Sequence, residues 1–244
     1  MKEQTANSSN AEVVKQNKIR AKSAWLRKGH ARGSAISCGL GIGIGFGFAL
    51  FLLSETTKNF GIYMMGICIF HMWEYIWVAM YHPEKLSSKS FLLNHSPQFN
   101  MALTISFFEY WIEWYFFPNM KTVSLWYIGA VFMVLGQVVR SLAMNTAGSN
   151  FTHIVQEEKR ETHELVTTGI YKFMRHPSYF GWFLWSVSTQ LVLLNPISIV
   201  GFGWASFKFF SNRIEYEEDY LIDFFGKSYK DYKENVWSGI PFIQ

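Results

Sequence analysis

Cysteine is nearly missing from this chain. The 244 residues hold only Cys38 and Cys68, and both fall inside apolar runs. They read as small packing residues, not as a disulfide or a metal pair, and no metal site is expected. Charge is sparse too, at 16% Asp, Glu, Lys and Arg with a net charge of +4, and no nucleic-acid partner is expected. The first 33 residues lack the apolar core of a secretory signal, so no cleavable signal peptide is expected. The chain also shows no pseudo-symmetric halves with broken helices, the usual pattern of a secondary transporter.

What the chain has instead is blocks of apolar residues. Half of the residues are hydrophobic and 18% aromatic, yet the mean hydropathy is only +0.07. The apolar residues must therefore be concentrated. Residues 35–53, 61–80, 99–117 and 122–139 are each long enough for the ~20 residues of helix that cross a bilayer core of about 30 Å. Two shorter runs, 179–194 and 197–210, are separated only by Asn195-Pro196 and predict a tight helical hairpin, either spanning or re-entrant. The expectation is an all-α integral membrane protein with about six transmembrane helices, the last two forming this hairpin.

The organisation follows. Residues 1–33 form a basic, partly disordered arm, 34–139 hold four spans, and 140–244 form a catalytic region. That region divides into a polar block at 140–178, the hairpin at 179–210 and a tail at 211–244. If the arm is cytosolic, 19 Lys and Arg fall on its side of the membrane and only Lys58 and Lys121 on the other. This positive-inside bias puts the polar block and the tail in one aqueous compartment.

Within the spans, Gly39, Gly43 and Gly47 share one helical face and Gly41 and Gly45 another. Such spacing lets two helices approach closely, in the same chain or in a homodimer. His71 and Glu74 share a face of the second span, Glu109 and Glu113 lie one turn apart in the third, and Arg140 ends the fourth. Ionisable groups at that depth are functional or paired. The preferred reading is structural pairing, with a proton or ion path as the alternative.

The polar block carries the chemistry. Gln156, His163 and Tyr171 offer hydrogen-bonding groups, and Thr167-Thr168-Gly169 is a turn that can present backbone to a ligand. Pro177 suits the first position of a helix, where its missing N–H costs nothing. Arg213 and Glu217 are one turn apart at the interface end of the last apolar run. They read either as an exposed ion pair or with Arg213 forking a carboxylate.

Taken in order, several stretches resemble the protein-S-isoprenylcysteine O-methyltransferase family. They are Gln137 with Arg140-Ser-Leu-Ala-Met144, Thr146-Ala-Gly148, Phe151-Thr-His-Ile-Val155, Leu165-Val-Thr with Gly169-Ile-Tyr171, and Arg175-His-Pro-Ser-Tyr179. The likeness continues through Gly181-Trp182, Thr189-Gln190, Asn195-Pro196, Arg213, Glu217-Glu218 and the ending Gly239-Ile-Pro-Phe-Ile243. The Arg-His-Pro-x-Tyr turn alone is shared with membrane phospholipid N-methyltransferases and NADPH-dependent sterol reductases, which are the alternatives. The six-span length is similar to the fungal form.

The resemblance implies transfer of a methyl group from S-adenosyl-L-methionine to the C-terminal carboxylate of a farnesylated or geranylgeranylated cysteine. Cofactor contacts are implied at Gln156, His163, Glu164, Leu165, Val166, Tyr171, His176, Pro177, Ser178, Tyr179 and Glu217. Glu164 is expected to contribute backbone, and Arg213 is implied as the catalytic and substrate-binding residue. Implied partners are prenylated proteins such as small GTPases and mating-pheromone-like peptides, within the lipid bilayer. The implied location is the endoplasmic reticulum membrane, with both termini and the site cytosolic.

Overall fold

The computed structural model describes residues 2–94 and 96–243, with the side chains of residues 2–14, 17–28 and 30 outside the description. Among the described residues there are eight α-helices and no strand. They are α1 (Lys2–Leu53), α2 (Lys58–Tyr81), α3 (Pro97–Phe116), α4 (Pro118–Lys121), α5 (Trp126–Ala147), α6 (Pro177–Leu193), α7 (Pro196–Phe225) and α8 (Lys227–Asn235).

Three boundaries differ from expectation. The basic arm is helical from Lys2, continuous with the first apolar run. Its Lys, Gln, Glu, Ala and Arg residues are good helix formers, which low hydropathy alone conceals. Arg140 does not end the fourth apolar helix, because α5 continues two turns beyond it to Ala147. The last apolar run does not stop at residue 210 either, since α7 carries the same ladder to Phe225. In both helices hydropathy falls while the residues remain compatible with helix.

Among the described residues, three helices have the length and hydropathy of a crossing segment: Ala31–Leu53, Lys58–Tyr81 and Trp126–Asn150. The other expected spans are helices of different character. Glu109 and Glu113 lower the hydropathy of α3, which runs through both without a break. With 17 residues, α6 is about 25 Å long, short of a hydrocarbon core of about 30 Å.

The distribution of side chains is that of a protein in lipid. Leu53, Val200 and Trp204 are exposed on the outside, while Glu74, Arg140 and Gln190 are fully buried. The apolar core joins Phe60, Tyr63 and Phe70 of α2 with Tyr110 of α3, Met133 of α5, and Trp185 and Val192 of α6.

Glycines bring the helices together. A Cβ on Gly47 would stand 2.6 Å from the Gly61 carbonyl, and one on Gly43 equally close to Cys68 Sγ, so this face packs α1 on α2 within the chain. Gly41 and Gly45 meet nothing within 4 Å. The pairing of α5 with α6 is tighter still. A Cβ on Gly136 would fall 2.6 Å from the Trp185 nitrogen, and one on Gly181 2.6 Å from the Arg140 nitrogen. This backbone-to-backbone contact sets Arg140 beside the first turn of α6.

The buried carboxylates hold the hairpin, as the pairing reading expects. Lys121 Nζ donates to the Leu193 and Leu194 carbonyls (both 2.9 Å), to Asn195 Oδ1 (3.0 Å) and to Glu113 (2.6 Å). Glu109 accepts from the Ile197 and Ser198 backbone N–H groups at 2.8 and 2.9 Å, and from the Ser198 hydroxyl. It thereby caps α7, whose first N–H groups have no partner within the helix. Every polar atom of the turn is thus served inside the protein, as an apolar surround demands.

Candidate functional site

Between α5 and α6 the chain runs without regular helix from Phe151 to Thr168, then makes a 3-10 turn over Gly169–Lys172. Gly169 opens that turn at φ +57, with Thr146 Cγ2 only 2.9 Å from where a Cβ would lie. Any side chain there meets both backbone strain and a clash. Pro177 is the first residue of α6, as its ring geometry favours. The segment is fastened from below by the C-terminus. The Arg175 and His176 N–H groups donate to the Trp237 and Ser238 carbonyls at 2.8 and 2.9 Å. The Tyr232 hydroxyl donates to the Tyr171 carbonyl at 2.5 Å.

Glu218 is the hub of this clamp. Its carboxylate accepts from Arg175 Nε and His176 Nε2, both at 2.9 Å, and pairs with Lys233 at 2.6 Å. Burial pushes this carboxyl upward, but the bonds from His176, Lys233 and Arg175 outweigh burial and hold it well below the usual carboxylate range. His163 is lowered by its burial and by Arg160 and Lys159, and is therefore kept neutral.

These elements line a cleft that is open to solvent. Gln156, His163, Glu164, Leu165, Val166, Tyr171, His176, Pro177, Ser178, Tyr179 and Glu217 all line it. The Glu164 side chain is exposed and its N–H donates to Asn150 Oδ1 at 3.1 Å. Asn150, Tyr220, Leu221 and Phe224 also line the cleft, and the sequence reading assigned none of them to the site. The signal for three of them was available: Glu217, Tyr220, Leu221 and Phe224 follow i, i+3, i+4, i+7 spacing on one face of α7.

Arg213 lies outside the cleft lining. Its Nε donates to the Tyr179 hydroxyl (3.1 Å) and its Nη2 to the His153 carbonyl (2.8 Å), while Tyr179 donates to Glu217. Among the described residues no ion pair joins Arg213 to Glu217, so the exposed-pair reading does not hold. The Tyr179 hydroxyl sits between them and takes up the interaction. The Tyr179 ring stacks on Phe210 at 5.2 Å. Phe210 in turn lines a second, apolar cleft, formed by α3, α6 and α7 with Phe99, Trp182 and Phe209. Arg213 thus stands where a polar cleft and an apolar one meet.

Helices with apolar exteriors around two adjoining clefts fit the class of membrane-embedded enzymes. Residues 128–223 match the family described as isoprenylcysteine carboxyl methyltransferase. The chain is 77% identical, over 96% of its length and 98% of the relative's, to the protein-S-isoprenylcysteine O-methyltransferase of Dictyostelium discoideum. It is 44% identical to the human protein of that name, covering 85% of this chain and 74% of that one. A solved structure of the eukaryotic intramembrane Ras methyltransferase ICMT superposes with a TM-score of 0.82 at 45% identity, covering 84% of this chain and 74% of that one. The chain belongs to the isoprenylcysteine carboxyl methyltransferase family.

Proposed function

We propose that this enzyme methylates the C-terminal carboxylate of a farnesylated or geranylgeranylated cysteine, using S-adenosyl-L-methionine. The observation that carries the reading is the position of Arg213 at the Tyr179–Phe210 junction of the two clefts. The polar cleft suits the methyl donor. His163 Nδ1 is buried there without a hydrogen-bond partner, a group that a polar ligand would satisfy. Gln156, His163, Tyr171, Tyr179 and Glu217 would hold the donor with backbone from Glu164–Val166, and the apolar cleft would hold the prenyl chain. Each buried methylene of that chain contributes about 0.8 kcal/mol.

Bound S-adenosyl-L-methionine supplies an activated methyl group on a sulfonium. The acceptor α-carboxylate, with an ordinary pKa of about 3.5, is already ionised at neutral pH and needs no general base. The protein's task is alignment and exclusion of water. Two of Arg213's five N–H donors are used on Tyr179 and His153, which orients the guanidinium and leaves donors for the acceptor. Incubating the purified protein with labelled S-adenosyl-L-methionine and N-acetyl-farnesylcysteine should yield a base-labile methyl ester. Label transferred to a phospholipid amine, or NADPH-dependent reduction of a sterol, would favour the alternatives instead.

The cofactor assignment has its own test. Tyr171→Ala removes a half-buried phenol from the cleft and should weaken S-adenosylhomocysteine binding by about ten- to hundredfold, the equivalent of one hydrogen bond to a charged ligand. Wild-type affinity in isothermal titration would place the cofactor elsewhere.

The same reading includes an endoplasmic reticulum location, six membrane-crossing or re-entrant helices, and cytosolic termini, supported by 19 basic residues against two. Single cysteines at Asn10 and Lys159 in a cysteine-free variant should react with an impermeant reagent from the cytosolic side of sealed vesicles. Reaction only after permeabilisation would invert the topology. Substrates would be prenylated proteins such as small GTPases or pheromone-like peptides. A homodimer through α1 would have to use Gly41 and Gly45, since Gly43 and Gly47 already pack on α2.

A further inference from the structure

Polar side chains from α2, α5, α6 and α7 close a ring around the reaction junction. Glu74 and Arg140 pair bidentately, Nε to Oε1 at 2.6 Å and Nη2 to Oε2 at 2.9 Å, with both side chains almost wholly buried. From Arg140 the ring runs by Nη1 to Ser178 Oγ at 2.8 Å, on the wall of the polar cleft. From Glu74 it runs the other way, where His153 Nε2 donates to Oε2 at 2.6 Å. The backbone carbonyl of that same His153 accepts from Arg213 Nη2 at 2.8 Å. Arg213 reaches Tyr179, the neighbour of Ser178, and the ring is complete. Arg140 also lies 5.1 Å over the Trp182 ring, in the wall of the apolar cleft.

We propose that the buried Glu74–Arg140–His153 circuit is a positioning device for methyl transfer, in which Glu74 acts through His153 to aim the Arg213 guanidinium and Arg140 seats Ser178. The inference rests on the methyl-transfer reading above and adds residues that touch neither reactant. A buried ion pair is a poor source of net stability compared with packed apolar residues of similar size. Its strength is geometric. Two charged groups locked together fix the directions of their remaining donors and acceptors, and here those directions end on Ser178 and on the loop that carries the His153 carbonyl. The side chain of His153 is 21% exposed, while the Glu74 carboxylate that it bonds is fully buried.

The test uses full-length wild type, His153→Ala and His153→Gln, with turnover on N-acetyl-farnesylcysteine, affinity for S-adenosylhomocysteine and Tm measured on each. The Ala variant should lose about tenfold or more in kcat/KM for the prenylcysteine while S-adenosylhomocysteine affinity stays within about twofold, the signature of a lost acceptor-side interaction. The Gln variant should recover most of the loss, because its amide N–H can again donate to Glu74. Unchanged acceptor kinetics in His153→Ala would overturn the inference. So would a loss shared equally by both substrates, tracking a lowered Tm and not rescued by Gln. Should His153→Ala fail to fold, His153→Asn decides in the same way, since its shorter side chain stops short of Glu74. Absence of methyl ester with the wild type would instead sink the methyl-transfer reading, and this inference with it.

Discussion

Arg213→Lys is expected to lower turnover by at least about a hundredfold while leaving S-adenosylhomocysteine binding within about twofold. The guanidinium serves two fixed partners, the Tyr179 hydroxyl and the His153 carbonyl, in different directions. A lysine ammonium keeps the charge but cannot reproduce a planar fork held on two sides. Losing two oriented bonds and the alignment of a charged acceptor removes roughly 3 kcal/mol of transition-state stabilisation. Cofactor binding survives because Arg213 lies outside the polar cleft, which keeps Glu217. Turnover near the wild-type level would remove Arg213 from the mechanism. An inactive variant that also fails to bind S-adenosylhomocysteine would move it to the cofactor side.

Glu218→Gln should be the most damaging single change to the cofactor segment. It removes the negative charge that Arg175, His176 and Lys233 share, and one of the two acceptor oxygens, and leaves the Arg175 guanidinium unneutralised in a site where its side chain is 2% exposed. Breaking a buried pair from one side costs about 3–5 kcal/mol. The expected result is a large fall in Tm together with loss of S-adenosylhomocysteine binding, read by thermal shift with and without ligand.

The pH dependence gives a second readout. Because the folded-state carboxyl is held below its ordinary range, the unfolded chain binds the proton more readily. Stability from this group is therefore fully present above about pH 4.3, the unfolded value, and is lost as pH falls below it toward the folded value. Wild-type Tm should drop between pH 5 and 3, and the drop should be smaller in Glu218→Gln. Equal slopes in the two proteins would show that Glu218 is not the hub.

Local signals made much of the site legible. Pro177 marks the start of α6 whatever surrounds it, and Gly169 marks a turn because its φ of +57 suits few other residues. Asn195-Pro196 interrupts the last apolar stretch and does divide α6 from α7. Boundaries set by helix propensity were less visible. Hydropathy falls near Arg140 and again near Ser211, but the hydrogen-bond ladder continues through both, since polar residues sustain a helix as well as apolar ones do. Tyr220 and Phe224 were missed for a similar reason. Their periodicity was present, but the surface they face exists only once residues 151–168 lie against α7.

By itself the sequence determined that apolar helices meet a polar, turn-rich block, and which family the chain is similar to. Those properties reside in composition, short-range periodicity and motif order. Only the tertiary structure decided the partners of the buried charges. Glu74 meets Arg140 across 66 positions and His153 across 79, while Gly136 and Gly181 let α5 touch α6 backbone to backbone and set Arg140 beside Ser178. The same holds for Arg213, four residues from Glu217 yet bound to Tyr179 and His153. Spacing along a helix says which groups share a face. Which of them bond is settled by what the rest of the chain packs against that face, where an unpaired charge costs far more than a distant partner.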